Sequence, residues 1–418
     1  MHAIHSLLSP LCAGALALTL LTAGCAAPAK PPAQLTAQTV SVTPAASAAV
    51  DRAAADLGLS LLRQVRTEDT GSALLSPLSA ELALSMAANG AAGETLRQFD
   101  ALLDGGTDLD TLNAACAQWL RDYRDLGGST QATLANSLWV DPEGAVRDDY
   151  IGRCSGVFDA QVFQTDLSAP ATVDQVNRWV SDQTKGLIPH LVQQPFQENA
   201  AAVLVNALYL KNAWRTPFDP SSTYTAPFTP AQGEAREQDY LCHSSRDLIY
   251  LSSAAAEGVL LPYDDGRLAF FALLPRENLD ALLDGLTGDQ LTQLLTDGRE
   301  YTLFLHLGLP KFETEWSGSL VEPLKALGLD SAFDPVQADF SSLGDAPNGY
   351  YLSQVIQAAK LSVNEKGTQA AAATLVEATA SCGLPRQDGI TLDFDRPFLY
   401  GIADVQTGLP LFLGTYKE

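Results

Sequence analysis

Positive charge is scarce in this 418-residue chain: 25 lysines and arginines stand against 49 aspartates and glutamates, for a net charge of −24. A surface that grips nucleic acid needs a basic face, so that class of ligand is excluded. The acidic excess reads as a well-solvated surface. Cysteine offers little more. There are six, Cys12, Cys25, Cys116, Cys154, Cys242 and Cys382, and none forms a CxxC pair of the redox or zinc kind. Of the five histidines, His2 and His5 lie near the start, and His190, His243 and His306 have no HExxH spacing. No GxSxG elbow and no GxxxxGKS/T loop occurs. The expectation is a protein without an enzymatic site, a cofactor or a metal.

The apolar run from Leu7 to Leu21 is too short for a comfortable membrane span and reads as the core of a signal peptide. It ends in "LTAGC", which looks like a bacterial lipoprotein box, although "MHAIHS" ahead of it has no Lys or Arg and Thr22 stands where the box usually has Leu. Residues 1–24 are thus expected to be removed and Cys25 to carry lipid at the cell surface, with ordinary secretion as the alternative. Residues 26–47, "AAPAKPPAQLTAQTVSVTPAAS", are Pro-, Ala- and Thr-rich without periodicity, a composition that predicts a tether.

The chain is 46% hydrophobic as a whole, and from Ala48 onward it is long enough for a large core. "VDRAAADLGLSLLRQV" has helical spacing. In "SPLSAELALSMAANG", Ser76 reads as an N-cap, Pro77 as the first helical residue and Gly90 as the stop. Further helices are predicted over 93–103, 108–126 and 170–184. "TLANSLWV" (133–140) and "AAVLVNALYL" (201–210) read as strands, the second apolar throughout and so central in a sheet. "LAFFALLP" and "YTLFLHLGLPKF" read as two more strands, and "RPFLYGIADVQTGLPLFLGTY" as a hairpin. Helices come first and strands later, without βαβ alternation. That pattern predicts an α+β fold in one domain, residues 48–418.

One stretch resists this reading. "EKGTQAAAATLVEATASCG" (365–383) sets four alanines beside threonines, and by propensity alone is best as a surface helix. As a strand, alternate residues would share one face. Thr368, Ala370, Ala372, Thr374 and Val376 would then face a core, all uncharged and four of them small.

Six motifs in order carry a resemblance that decides between these. "SPLSAELALSMAANGAAGETLRQF", "VNRWVSDQTKGLI", "LVNALYLKNAWRTPFDPSSTYTAPF", "LPKFE", "EKGTQAAAAT" and "DFDRPFLYGI…TGLPLFLG" together resemble the serpin family from about residue 50 to 418. The resemblance implies a serpin fold of eight or nine helices and three β-sheets with an exposed reactive-centre loop at about 365–388. It implies a covalent one-to-one trap for a serine protease by a monomer: the cleaved loop inserts as a strand in the central sheet before the acyl bond hydrolyses. About a dozen backbone hydrogen bonds at about 1 kcal/mol net each would supply on the order of 10 kcal/mol. That is comparable to the whole stability of a protease domain, about 5–15 kcal/mol.

The resemblance also implies roles for particular residues. The hinge is Glu365, Lys366, Gly367, Thr368, Ala370, Ala371, Ala372, Ala373 and Thr374. Family spacing, sixteen residues after Glu365, puts the scissile bond at Ser381–Cys382, with Arg386 as the alternative bait. Small residues before Ser381 suit an elastase-like or subtilisin-like protease, whereas a trypsin-like one would need Arg386. Ser76, Ser79 and Asn206 match the shutter beneath the point where the sheet opens. Gln357 stands where the family often has His, and does not titrate. Trp214 matches the breach tryptophan, and Lys311 the partner of Glu365. A non-inhibitory binding protein and an inhibitor of a cysteine protease are the alternative functions. Gly, Thr and four Ala in the hinge, rather than Pro or bulky or charged residues, favour inhibition.

Overall fold

The structure, a computed structural model, describes residues 31–66, 71–103, 105–246, 248–297, 299–300, 304–368 and 389–418. Helices fill the first part: β1 (Ala33–Leu35), α1 (Ala48–Val65), β2 (Ala73–Leu75), α2 (Pro77–Ala88), α3 (Gly93–Leu103) and α4 (Leu109–Asp122). There follow β3 (Gln131–Val140), β4 (Ala145–Val146), α5 (Asp148–Val157), β5 (Gln161–Gln164) and α6 (Pro170–Gln183). Strands then dominate: β6 (Ala202–Ala213), β7 (Tyr224–Phe228), β8 (Arg236–Ser245), β9 (Ile249–Ser252), β10 (Ala256–Pro262) and β11 (Leu268–Pro275). After α7 (Leu279–Gly285) and α8 (Gly288–Thr296) come β12 (Arg299–Glu300), β13 (Leu305–Pro310), β14 (Phe312–Ser319) and α9 (Val321–Ala326). The last strands are β15 (Gly344–Asp345), β16 (Leu352–Asn364), β17 (Gly367–Thr368), β18 (Ile390–Asp393), β19 (Phe398–Asp404) and β20 (Pro410–Tyr416).

Three large sheets organise these strands. The central one runs β1-β5-β3-β6-β17-β16-β14, a second runs β12-β9-β10-β11-β19-β20-β2, and a four-stranded sheet runs β18-β13-β8-β7; β15 and β4 make a separate two-stranded ladder. The α+β class, the nine α-helices among the described residues and the three sheets agree with the sequence reading. The C-terminal hairpin is the antiparallel pair β19–β20, buried at every position. Burial on both faces explains why these two strands are apolar apart from glycines and the buried Asp404 and Thr415. Helix α2 is likewise buried all round, which is why its sequence is apolar without a stripe.

Two expectations are corrected. "YTLFLHLGLPKF" is not one strand: residues 301–303 lie outside the described residues, and the rest divides at Lys311. Its first part, β13, belongs to the four-stranded sheet and its second, β14, begins in the central one. The stretch 32–47 is not a free tether. Its strand β1 pairs antiparallel with the edge strand β5, Ala33 opposite Gln164 and Leu35 opposite Val162. Beyond it the Val40 amide donates to the Gly152 carbonyl at 2.9 Å and that of Ala45 to Ala114 at 3.1 Å. Ser47 then caps α1 by accepting from the Val50 amide. The close approach depends on two glycines one turn apart on α5. A Cβ on Gly152 would lie 2.1 Å from the Gln38 carbonyl oxygen, and one on Gly156 only 1.9 Å from that of Val40. Composition fails here because a docked strap takes its hydrogen bonds from the backbone and needs no apolar period of its own.

Candidate functional site

The centre of the seven-stranded sheet has a seam. Strands β6 and β16 are parallel and pair directly from Leu352–Ala202 to Ala358–Ala207. Towards their C-terminal ends they part, and β17 lies between them, antiparallel to both: Gly367 faces Ala213 and Asn364, and Thr368 faces Asn212 and Val363. The chain leaving β16 is thus two residues back into the sheet. Gly367 is required there by close approach, since a Cβ would sit 2.0 Å from the Asn212 carbonyl oxygen. Thr368 is fully buried and its hydroxyl donates to the Tyr263 hydroxyl at 2.8 Å.

Tryptophan 214 fixes the turn that feeds this strand. Its ring lies parallel to that of Tyr263, centroids 5.0 Å apart, and its Nε1 donates to the Asn364 carbonyl at 2.8 Å. Its backbone amide donates to the Lys366 carbonyl at 3.0 Å, and the Phe218 amide to that of Glu365 at 2.9 Å. The Glu365 carboxylate accepts from Lys311 Nζ at 2.8 Å and from the Thr223 hydroxyl at 3.0 Å. Burial works to raise its pKa, but Lys311, its own backbone amide and Thr223 outweigh that and hold the carboxyl below its ordinary value. With the Lys311 side chain 31% exposed, the ion pair contributes about 1 kcal/mol or less. Lys366, by contrast, points to solvent.

Lower in the seam, Gln357 is 2% exposed and clasps one residue with both ends of its amide. Its Oε1 accepts from the Ser76 amide at 3.0 Å and its Nε2 donates to the Ser76 carbonyl at 2.9 Å. The Ser76 hydroxyl donates to the Leu411 carbonyl at 2.7 Å and accepts from the Ser79 amide, capping α2. One residue of β16 therefore ties the central sheet to the helix beneath it and, through Leu411, to the second sheet. Asn206 lies opposite Gln357 on one side and Asn136 on the other, and donates to Asn136 Oδ1 at 2.6 Å. The Ser79 hydroxyl and Asn206 Oδ1 are buried without a partner.

The structure brings Glu365, Lys366, Gly367, Thr368, Trp214 and Lys311 together at the top of the seam, and Ser76, Ser79, Asn206 and Gln357 below it. Ala370, Ala371, Ala372, Ala373, Thr374, Ser381, Cys382, Arg386 and Cys25 lie outside the described residues. Sequence reasoning missed Asn136, Tyr263 and Thr223. A polar residue inside the apolar "TLANSLWV" was a usable signal for Asn136; Tyr263 and Thr223 had none.

A profile described as serpin (serine protease inhibitor) matches residues 52–418. The chain belongs to the serpin family. Serpins are mostly protease inhibitors rather than enzymes, and some are non-inhibitory. Among its relatives, Iripin-5 of Ixodes ricinus is 30% identical over 364 residues, 85% of this chain and 91% of the relative. Plasminogen activator inhibitor 1 of Sus scrofa is 29% identical over 380 residues, covering 88% and 92%. The thermophilic serpin tengpin in its native state superposes with a TM-score of 0.83 at 29% identity, covering 93% of this chain and all of that one. Its latent state gives 0.77 at 27% identity, covering 90% and again the whole chain.

Proposed function

We propose that this serpin is an irreversible suicide-substrate inhibitor of serine proteases, baited at Ser381–Cys382 and directed at elastase-like or subtilisin-like enzymes. The observation that carries this reading is the register of β17 between β6 and β16. Thirteen residues beyond Thr368 is Ser381. Thirteen residues back from Asn212 and Val363 are Asn199 and Tyr350. A cleaved loop that continued the register would be paired along the whole of β6, which begins at Ala202, and of β16, which begins at Leu352. Its new carboxyl end would emerge two or three residues past both. A protease ester-linked at Ser381 would then be drawn hard against the foot of the sheet. Cleavage at Arg386 would leave five more residues of slack, on the order of 17 Å of extended chain, and no such compression.

At the bait, the Ser381 carbonyl carbon is attacked by the protease's serine oxygen. The Ser381–Cys382 amide bond breaks, and the Cys382 nitrogen leaves with a proton as the new amino terminus. The ester persists because insertion removes it from the geometry that would hydrolyse it. Mixing residues 31–418 with elastase-, subtilisin-, trypsin- and papain-type proteases tests this. Denaturing gels should show a covalent complex with one of the first two, and intact mass a released peptide beginning at Cys382. A peptide beginning at Gln387 moves the bait to Arg386. A stable complex with papain alone makes it a cysteine-protease inhibitor, and clean cleavage in every mixture makes it a non-inhibitory binding protein.

The same reading places the domain on the outer face of a bacterial membrane, held by lipid on Cys25. With β1 docked, only residues 26–32 would serve as the leash, about 24 Å at full stretch. Radiolabelled palmitate should enter the wild-type protein and not Cys25→Ser; label in neither makes it a secreted protein.

A further inference from the structure

Between Gly367 and Cys382 the chain carries one charge, that of Glu377; every other residue from Thr368 to Ser381 is uncharged. Glu377 lies outside the described residues, but the two ladders of β17 define where a strand that continued them would lead. Residue 368 stands opposite Asn212 of β6, so residue 377 would stand opposite Val203. Residue 368 also stands opposite Val363 of β16, so residue 377 would stand opposite Gln354. The two projections agree, because Val203 and Gln354 are already partners in the resting sheet. They also fix the face, since directly opposed residues point to the same side of a sheet. Val203 belongs to the apolar cluster that Val176 and Trp179 of α6, and Val192 beyond it, form against the sheet. Glu377 would therefore enter on the α6 side, where an unpaired carboxylate is costly.

The sheet has a place for that charge. A cavity of about 570 Å³ opens between β16, the end of β14 and the segment joining α6 to β6. Neutral amides line much of it, Gln193, Gln194 and Gln197 from the joining segment and Gln354 from β16. Its one carboxylate among the described residues, Glu322, is already bound by Lys325 Nζ at 2.9 Å. Gln354 is held with its donor end free: the Ser319 hydroxyl donates to its Oε1 at 2.7 Å, and its Nε2 has no partner among the described residues. Gln354 and Ser319 stand on β16 and β14, on one side of the seam. They keep their places beside an inserted strand while β6 and the joining segment move away, and the newcomer takes the space those leave. We propose that Glu377 of the inserted loop docks in this cavity, its carboxylate accepting from Gln354 Nε2, and that this contact fastens the lower end of the inserted strand. The proposal rests on the inhibitory reading above and names a positioning residue within it. A charge-assisted hydrogen bond made only after insertion strengthens the trapped state and leaves the resting one untouched.

The tests use protein nicked in the bait by any of the four proteases, so neither needs a trapped enzyme. Nicking should raise the denaturant midpoint of the wild type well above that of the intact protein. No rise would mean that no strand inserts, and the inhibitory reading and this proposal would fall together. In the first test, Glu377→Cys/Gln354→Cys protein is treated with diamide, which takes up both thiol hydrogens as the disulfide forms. The link, mapped by mass spectrometry, should form at least tenfold faster in nicked than in intact protein. A raised midpoint without the link, or a link formed equally fast in intact protein, overturns the placement and spares the inhibitory reading. In the second, unfolding rates give a double-mutant cycle. Gln354→Ala should speed the unfolding of nicked protein at least threefold when Glu377 is present and leave it unchanged in Glu377→Ala. In intact protein its effect should be the same in both backgrounds, which subtracts the lost bond to Ser319. The coupling should fade as pH falls below about 4, where a glutamate carboxyl takes up its proton. A link without coupling, or a coupling indifferent to pH, makes the two residues neighbours only and overturns the fastening role.

Discussion

Replacing Thr368 with Arg sets the insertion mechanism against a charge. Thr368 has no exposed surface, is flanked by Asn212 and Val363, and spends its hydroxyl on Tyr263. Phe270, Trp214 and Tyr263 form the aromatic wall next to it, and none can neutralise a guanidinium. An unpaired buried charge costs several kcal/mol after relaxation. The uncleaved variant relieves that cost by keeping β17 out of the seam, so the charge has to be buried only when the strand inserts. If about 3 kcal/mol falls on that barrier, the strand enters roughly 150 times more slowly. Deacylation is untouched, so the partition between trapping and turnover shifts by the same factor. The assay is the stoichiometry of inhibition: the moles of inhibitor consumed per mole of protease silenced. It should rise more than tenfold, with cleaved Thr368→Arg protein accumulating on gels. Lys366→Arg, on the exposed neighbour, should leave the stoichiometry unchanged. Thr368→Arg protein that trapped protease one for one would refute the inward placement of this residue and, with it, the register on which the bait assignment rests.

Further outcomes follow from the same geometry. Gln357→Ala leaves the buried Ser76 amide without its acceptor, while the Ser76 carbonyl keeps the Ala80 amide at 3.0 Å, and should lower stability by about 1–3 kcal/mol in denaturant unfolding. Glu365 has its carboxyl held below the ordinary value of 4.5. Its contribution is therefore complete above pH 4.5 and lost as pH falls through the lowered folded-state value. Lys311→Met should remove up to about 1 kcal/mol of stability at pH 7 and progressively less as pH falls below 4.5, by unfolding curves taken across that range. Asp51, buried against Trp119, has its carboxyl pushed up by burial from 3.8 to about 6, with Asp404 adding to the effect and the Trp119 bond opposing it. Its folded-state value is raised, so the native protein loses stability as pH climbs from about 4 to about 6. Asp51→Asn keeps an acceptor for the indole and should stabilise at pH 7 by no more than about 3 kcal/mol, with no gain at pH 3.

How much of this could be read from the sequence varied with the kind of force involved. Elements built on burial were legible. The apolar run of β6, the capped start of α2 and the C-terminal hairpin were each announced by the residues that bury them. The site was legible only in part, through resemblance, because its parts come from segments as distant as Ser76 and Gln357 and no spacing rule connects them. For the alanine-rich stretch after Thr368, which lies outside the described residues, local propensity and the resemblance point in different directions. Alanine favours a helix in isolation, whereas small uncharged residues at alternate positions are what an incoming strand needs to pass under a packed sheet. The docked strap was invisible to composition. Yet Gly152 and Gly156, one turn apart in a helix, were a signal of close backbone approach, and reading them would have turned the tether into a strap.

The seam itself explains why such a molecule can wait. In the resting sheet β6 and β16 share six registered pairs, from Leu352–Ala202 to Ala358–Ala207, and two more residues of the chain, Gly367 and Thr368, fill the gap above. Inserting a full strand would break those six pairs. It would gain ladders along the twelve residues of β6 and the thirteen of β16. At about 1 kcal/mol net per bond the balance favours insertion by on the order of 10 kcal/mol, so the resting sheet is held by a barrier and not by its depth. Part of that barrier is visible. Gln357 must keep or exchange its grip on Ser76 while Asn206, its partner across the seam, moves away from it. An Asn206→Ala substitution leaves the Gln357–Ser76 clasp intact but removes the Asn206 bond to Asn136. It should therefore loosen the β6 side alone, raising the rate at which uncleaved protein loses inhibitory activity on warming more than it lowers the denaturant midpoint. Equal effects on both would mean that the seam resists opening through the whole fold and not through these side chains.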